Sequence, residues 1–186
     1  MHEARAQTGT VDSSLIIGPM QPIEPPDSFL VSAAEGWLEL GNTAEARLEL
    51  EQVSAALQKH PAVLDLRWEV FTTEQDWSAA LEVARTLLGL LPGSPVGWLH
   101  QAYALRRAPG GGLPAAWEAL LPALEKFPEN PTVAYNLACY ACQLEQLDEA
   151  RALFQRALEV GGREAIQRMA LRDPDLQPLW DEIRKL

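Results

Sequence analysis

The sequence predicts an all-α fold in which about four antiparallel helical hairpins stack in a row and C-terminal helices close the end. From Asp27 onward, apolar residues recur at spacings of three and four, the period of an amphipathic helix. Short breaks rich in Gly, Pro, Asn and Asp separate segments of about 12–16 residues. The third observation is an internal repeat marked by the alanine that follows alternate breaks. These alanines are Ala46, Ala80, Ala116 and Ala150, and their spacing is constant except between the second and the third.

Composition excludes several classes of protein. The chain of 186 residues has 15 Lys and Arg against 26 Asp and Glu, which gives a net charge of −11. Such a surface repels phosphate backbones and anionic lipids, so we expect neither a nucleic-acid partner nor a membrane partner. No apolar run approaches the roughly 18 residues that suggest a membrane-spanning helix, and no secretion signal is recognisable at the N-terminus. With only two cysteines, no disulfide framework is predicted and a cytoplasmic location is expected.

Residues 1–26 form a Pro-rich extension. The stretch GPMQPIEPPD holds four prolines in ten residues, which excludes a helix and favours extended chain. Just before it, Leu15–Ile17 is a short apolar stretch. Two interpretations remain open: a flexible tail, or a segment in which residues 15–20 dock in a groove of the protein or bridge to a second copy.

The predicted hairpins span residues 27–60, 61–94, 95–130 and 131–164. The third is two residues longer, and its Gly-rich break at 109–112 explains the excess. Large and small residues follow one another in a fixed order within each hairpin, most clearly in the last two. The members in the third hairpin are Trp98, Ala102, Leu105, Ala116, Leu120, Ala123 and Pro128.

This order resembles the tetratricopeptide repeat (TPR), whose period is about 34 residues. The last hairpin follows it with Leu137, Ala138, Ala150, Phe154 and Ala157. The first two hairpins are degenerate. In the second, Trp68 occupies a position where the pattern has a small residue, and in the first the closing proline comes late, at Pro61. The resemblance covers residues 27–164, and it implies a right-handed α-α superhelix.

Residues 165–186 are predicted to cap the array. A stack of hairpins otherwise exposes the apolar face of its last member. A helix is expected over about 163–171, followed after RDPD by a short helix from about Pro178. That short helix presents Leu179, Trp180 and Ile183 on one side.

The resemblance also implies a concave groove lined by fixed positions of the first helix of each repeat. The acidic residues at these positions come first and the basic residues later, with apolar and aromatic residues between them. Ordinary solvated charge explains the same residues, and this alternative remains open. The predicted contact residues are Val31, Glu35, Asp65, Glu69, Leu99, Tyr103, Arg106, Tyr135 and Cys139.

Cys139 and Cys142 raise the question of a metal or redox site. A zinc site normally has three or four protein ligands, whereas the three histidines lie in other segments. A thioredoxin-type pair requires a βαβ context. We therefore expect both cysteines to be groove-wall or packing residues and predict no metal. A redox or metal function remains the alternative.

The sequence contains no recognisable catalytic set, and we predict no enzyme activity and no cofactor. The predicted function is that of a protein-interaction module or adaptor that binds a peptide or helix in the groove. The Lys and Asn residues with which some TPR proteins grip a C-terminal carboxylate are missing. One alternative is a small acidic bacterial TPR chaperone that holds secreted or unassembled client proteins. Whether the protein forms a homodimer is left open.

Overall fold

The computed structural model describes residues 22–186, and within this range every regular element is helical. The all-α prediction is therefore confirmed. The predicted docking of residues 15–20 lies outside the described residues. Two 3₁₀ turns, Ala55–Leu57 and Pro174–Leu179, accompany the α-helices. The α-helices are α1 Asp27–Glu39, α2 Thr43–Gln52, α3 Pro61–Thr73, α4 Trp77–Leu90, α5 Pro95–Leu105, α6 Leu113–Lys126, α7 Pro131–Gln143, α8 Leu147–Gly161, α9 Arg163–Ala170 and α10 Trp180–Ile183.

The described chain forms two compact units, residues 22–110 with α1–α5 and residues 111–186 with α6–α10. The boundaries of the four repeats and of the cap stay a prediction. Within the described residues, no helix is both long enough and apolar enough to cross a membrane.

In the first unit, α1, α3 and α5 begin at Asp27, Pro61 and Pro95, a constant spacing that matches the repeat in the sequence. Proline suits the first helical position because the N–H it lacks would have no partner there. The side chains of His60 and Ser94 cap the two helices that begin with proline. Because the helices start in phase with the repeat, residues at the same ordinal position in each helix are equivalent.

Neighbouring helices of the first unit pack in sequence: α1 against α2 and α3, α3 against α4, and α4 against α5. Ala34 and Ala46 are completely buried where α1 meets α2, as expected for small residues at a helix crossing. One core cluster lies between α1, α2 and α3, and a second lies between α3, α4 and α5. The buried members of the second are Trp68, Ala80, Leu81, Ala84, Ala104 and Ala108.

The late proline of the first repeat has a structural reason. Helix α2 ends at Gln52, and the chain then forms the 3₁₀ turn before Pro61 opens α3. Arg67 of α3 holds this connection by donating hydrogen bonds to the carbonyl oxygens of Leu50 (3.3 Å) and Gln58 (3.4 Å). Pro61 is therefore the first residue of the next hairpin, and the first hairpin ends in the loop that Arg67 holds by these hydrogen bonds.

Helices α4 and α5 cross unusually closely at Gly97. A Cβ atom at this position would lie 2.6 Å from the backbone nitrogen of Leu88 and 2.7 Å from its Cα. Only glycine fits without moving the α4 backbone.

In the second unit, α6 packs on α7, α7 on α8, and α8 on α9. The 3₁₀ turn Pro174–Leu179 packs on α7 and buries Leu176 and Leu179 almost completely. The sequence predicts the second cap helix from about Pro178, and α10 begins two residues later, at Trp180. Pro178 lacks the N–H group that a continuous α-helix from Pro174 would use, and the chain forms a 3₁₀ turn first.

Candidate functional site

The predicted contact residues occupy equivalent places on the odd-numbered helices. Except for Arg106, they are the fifth and ninth residues of α1, α3, α5 and α7, counted from the first residue. One further helical turn leads to the thirteenth position in the same stripe. We call the fifth, ninth and thirteenth residues the groove face of a helix. The thirteenth residues are Glu39 of α1, Thr73 of α3 and Gln143 of α7; α5 ends at its eleventh residue, and Arg107 follows two residues later, at the equivalent place in the sequence.

In the first unit, the groove face of α3 is linked to α5 through His100. Nε2 of His100 lies 2.7 Å from Oδ1 of Asp65. The imidazole stacks on the indole of Trp68, with ring centroids 3.7 Å apart and planes 3° apart. The Asp65 side chain remains 45% exposed, whereas Trp68 is buried. Asp65 is therefore a carboxylate held in one orientation at the surface.

Tyr103 extends this cluster along α5. Its ring meets Trp68 edge-on at 5.7 Å between centroids and lies 6.0 Å from Trp77. The guanidinium of Arg107 sits 3.8 Å from the centroid of the Tyr103 ring and 5.2 Å from that of Trp77. Arg107 also donates to the carbonyl oxygen of Tyr103 at 3.1 Å. Such cation–π contacts hold the arginine against the aromatic rings.

The predicted contact set does not contain His100, Trp68 or Trp77. The sequence does contain a signal for the contact between Asp65 and His100, because they are separated by 35 residues, one repeat period plus one. A carboxylate and a histidine at that separation lie on neighbouring first helices.

The groove face of α1 differs in character from that of α5. Val31 is buried in the core between α1, α2 and α3, whereas Glu35 and Glu39 are exposed. Leu99 of α5 is half-buried, and Arg106 follows the last residue of α5 and caps it. The structure thus brings Asp65 and Tyr103 into one cluster and places Val31 in the core.

In the second unit, the groove face of α7 is covered by the chain's own segment Asp173–Asp175. The hydroxyl of Tyr135 donates to Oδ2 of Asp173 at 3.0 Å, and the thiol of Cys139 lies 3.5 Å from the same oxygen. Nε2 of Gln143 donates to the carbonyl oxygen of Asp175 at 2.9 Å. The fifth, ninth and thirteenth residues of α7 therefore all bind one stretch of chain.

This covering changes the acid–base chemistry of the groups beneath it. Burial, followed by the neighbouring Cys139 and Asp173, raises the pKa of the Tyr135 hydroxyl well above its ordinary value. Burial and Asp175 also raise the pKa of the Cys142 thiol. Cys139 and Cys142 are both buried and are not joined in a disulfide.

Ligand atoms of Cys139, Asp173 and Asp175 lie within 4.8 Å of one another. Both oxygens of Asp173 already accept hydrogen bonds, Oδ2 from Tyr135 and Oδ1 from the Asp175 N–H at 3.0 Å. These bonds account for the cluster as the place where the cap attaches to α7.

The solved structures that are similar to this chain include two of MamA. The crystal structure of the MamA protein has a TM-score of 0.61 and 17% sequence identity, over 86% of this chain and 86% of that chain. A crystal structure of MamA has a TM-score of 0.59 and 18% identity, over 82% of this chain and 88% of that chain. At these identities the likeness shows the fold, a TPR-like arrangement of helices packed in adjacent pairs.

No family model matches the chain. No curated protein matches it either. Membership of the TPR family therefore stays a prediction, whereas the TPR-like fold rests on the solved structures.

Proposed function

We propose that this protein is a non-enzymatic interaction module that binds a short segment of a partner protein on the groove faces of α1, α3 and α5. One observation carries the proposal. The groove face of α7 holds the segment Asp173–Asp175 through all three of its positions. Because α1, α3 and α5 start in the same register, their fifth and ninth residues have the same spacing along each helix, and of these six residues Val31 is buried in the core.

The first unit adds features that suit a binding surface. The Asp65 carboxylate is oriented by His100, and the half-buried Tyr103 ring is fixed between Trp68, Trp77 and Arg107. Aromatic side chains and arginine are enriched at the energetic centres of protein interfaces. Side chains that are already ordered lose little conformational entropy when a ligand binds.

A selection from a display library of random peptides tests the proposal. The whole protein is used as bait, and the enriched peptides are then measured against Tyr103→Ala and against Leu99→Ser. Glu82→Ala, on the exposed side of α4, serves as the control. Circular dichroism confirms that each variant is folded.

We expect the enriched peptides to lose affinity about tenfold or more for Tyr103→Ala, since a central aromatic residue contributes about 1.4 kcal/mol or more. Glu82→Ala should bind them like the unmodified protein. Peptides that do not distinguish the two groove-face variants from the control would refute the proposal. Enrichment of many unrelated apolar sequences would instead favour the chaperone alternative.

A further inference from the structure

The occupied groove face of α7 shows which kind of chemistry it recognises. Its three polar side chains act as donors: the Tyr135 hydroxyl, the Cys139 thiol and the Gln143 amide. The bound segment supplies acceptors, namely the carboxylate of Asp173 and the carbonyl oxygen of Asp175. A donor-bearing face thus holds an acidic segment.

The groove faces of α1 and α3 have the opposite chemistry. Their ninth residues are Glu35 and Glu69, the fifth residue of α3 is Asp65, and the thirteenth residue of α1 is Glu39. Each of the four carboxylates only accepts hydrogen bonds. Helices α1 and α3 pack against each other, so these carboxylates belong to neighbouring elements of one unit.

Few basic groups balance Glu35, Glu39 and Asp65. Helix α1 has no Lys, Arg or His, and the single basic residue of α3, Arg67, donates to carbonyl oxygens of the segment that precedes α3. Just after α5, Arg107 is held over two aromatic rings. Neither arginine forms an ion pair with these three carboxylates among residues 22–186.

Asp65 is the most strongly oriented member of the set. Its Oδ1 is fixed by His100, which itself lies flat against Trp68, and no hydrogen bond within the described chain uses Oδ2. A carboxylate with one oxygen fixed and its side chain 45% exposed is already positioned to accept a charged donor. Guanidinium and ammonium groups make the strongest hydrogen bonds to such an acceptor.

We propose that the partner segment bound by α1 and α3 is cationic, with Arg or Lys side chains that pair with Asp65, Glu35 and Glu39. This inference rests on the proposed function and specifies the partner. Charge complementarity is its basis: an acidic segment sits on the donor face of α7, and a basic segment fits the acceptor faces of α1 and α3. Asp65 is the central contact, and His100 is the residue that positions it.

Three fluorescent probe peptides of equal length test the inference. They differ only at several fixed positions, which carry Arg, Gln or Glu. Fluorescence polarisation measures their affinity for the full chain, for the triple variant Glu35→Gln, Glu39→Gln, Asp65→Asn, and for a control triple variant. The control neutralises three exposed glutamates of the second unit and so changes the net charge by the same amount. These are Glu118, Glu125 and Glu164.

We expect the Arg probe to bind about tenfold or more tightly than the Gln probe, and the Glu probe to bind least. The groove-face triple variant should lose that advantage, whereas the control triple variant should keep most of it. Added salt should weaken the Arg probe, because screening acts on exposed charges. If both triple variants lose the same affinity for the Arg probe, the probe responds to net charge only and the inference is overturned. Equal affinity of the Glu and Arg probes would also overturn it.

Failure of this inference and failure of the proposed function give different results. If the display selection yields peptides that depend on Tyr103 but are not enriched in Arg and Lys, the interaction function stands and the cationic partner is rejected. If no enriched peptide and no probe responds to the groove-face variants, both are rejected.

Discussion

The imidazole of His100 lies parallel to the indole of Trp68 at 3.7 Å between centroids, while its Nε2 contacts the Asp65 carboxylate. Two contacts of different kinds thus fix one ring between α3 and α5. Stacking sets the plane of the ring, and the contact with the carboxylate sets its rotation within that plane. The orientation of Asp65 therefore depends on the packing of Trp68 below it.

Trp68 offers a first test of this arrangement. Trp68→Ala should lower the free energy of unfolding by about 3–5 kcal/mol, because it leaves a cavity beneath His100. Within the described residues the indole Nε1 has no hydrogen-bond partner, so Trp68→Phe loses ring volume but no hydrogen bond. We expect Phe to cost less than half of what Ala costs in urea denaturation. Equal losses for the two variants would contradict the assigned packing.

The close approach of α4 and α5 gives a second prediction. Gly97→Ala places a methyl group against the backbone of Leu88, which cannot move aside, and should cost about 1–3 kcal/mol or more. Gly89→Ala is the matched control, since nothing lies within 4 Å of a Cβ there. It should stabilise the protein by about 0.5–1 kcal/mol through helix propensity. Thermal unfolding of the two variants should therefore shift in opposite directions.

A third prediction concerns the contact between Tyr135 and Asp173. Tyr135→Phe keeps the ring but removes the hydroxyl that donates to the carboxylate. We expect a loss of about 1.5–3 kcal/mol at neutral pH, the usual range for a hydrogen bond to a charged group. An unchanged urea midpoint would show that the bond contributes nothing to attachment of the cap.

Ionisation of the Tyr135 hydroxyl also predicts how the stability of the protein depends on pH. The folded protein raises the pKa of Tyr135 above its ordinary value of about 10, so the unfolded chain ionises first. Its contribution to stability is therefore complete below about pH 10 and is lost as the pH rises further. Between about pH 8 and pH 11, the free energy of unfolding measured in urea should fall more for the unmodified protein than for Tyr135→Phe. Identical slopes would contradict the raised pKa.

The buried thiols give a fourth prediction. Cys139 and Cys142 lie under the cap, and burial raises the pKa of Cys142, so little thiolate is exposed at about pH 8. A disulfide reagent such as dithionitrobenzoate should react much more slowly with the native protein than with the protein in urea. Rapid modification of the native protein would instead revive the redox alternative.

Much of the fold follows from local signals. Pro61, Pro95 and Pro131 open helices, and counting from the first residue of each helix identifies the equivalent positions despite the two extra residues of the third hairpin. Trp68 is not among the predicted contact residues. It occupies a position where the repeat has a small residue, and small buried residues share its core cluster. These are Ala80, Ala84, Ala104 and Ala108. The first two belong to the same hairpin as Trp68 and the last two to the next, so the second hairpin alone does not contain the whole set.

The candidate site was less accessible to sequence reasoning. The register places Tyr135 and Cys139 one helical turn apart, but it contains nothing about what covers them. The contact between Tyr135 and Asp173 spans 38 residues and involves the irregular segment after α9. Repeat periodicity carries no information about such a segment, because it occurs once in the chain.

The close crossing of α4 and α5 at Gly97 limits which hairpin can take the third place in the chain. The third residue of the first helix is Phe29, Val63 and Val133 in the other hairpins, and glycine only in the third. A protein assembled by shuffling the hairpins, or by averaging them into a consensus, would bring a side chain to a crossing with no room for it. At this crossing, the first helix of the third hairpin cannot be exchanged for that of another hairpin without moving the α4 backbone.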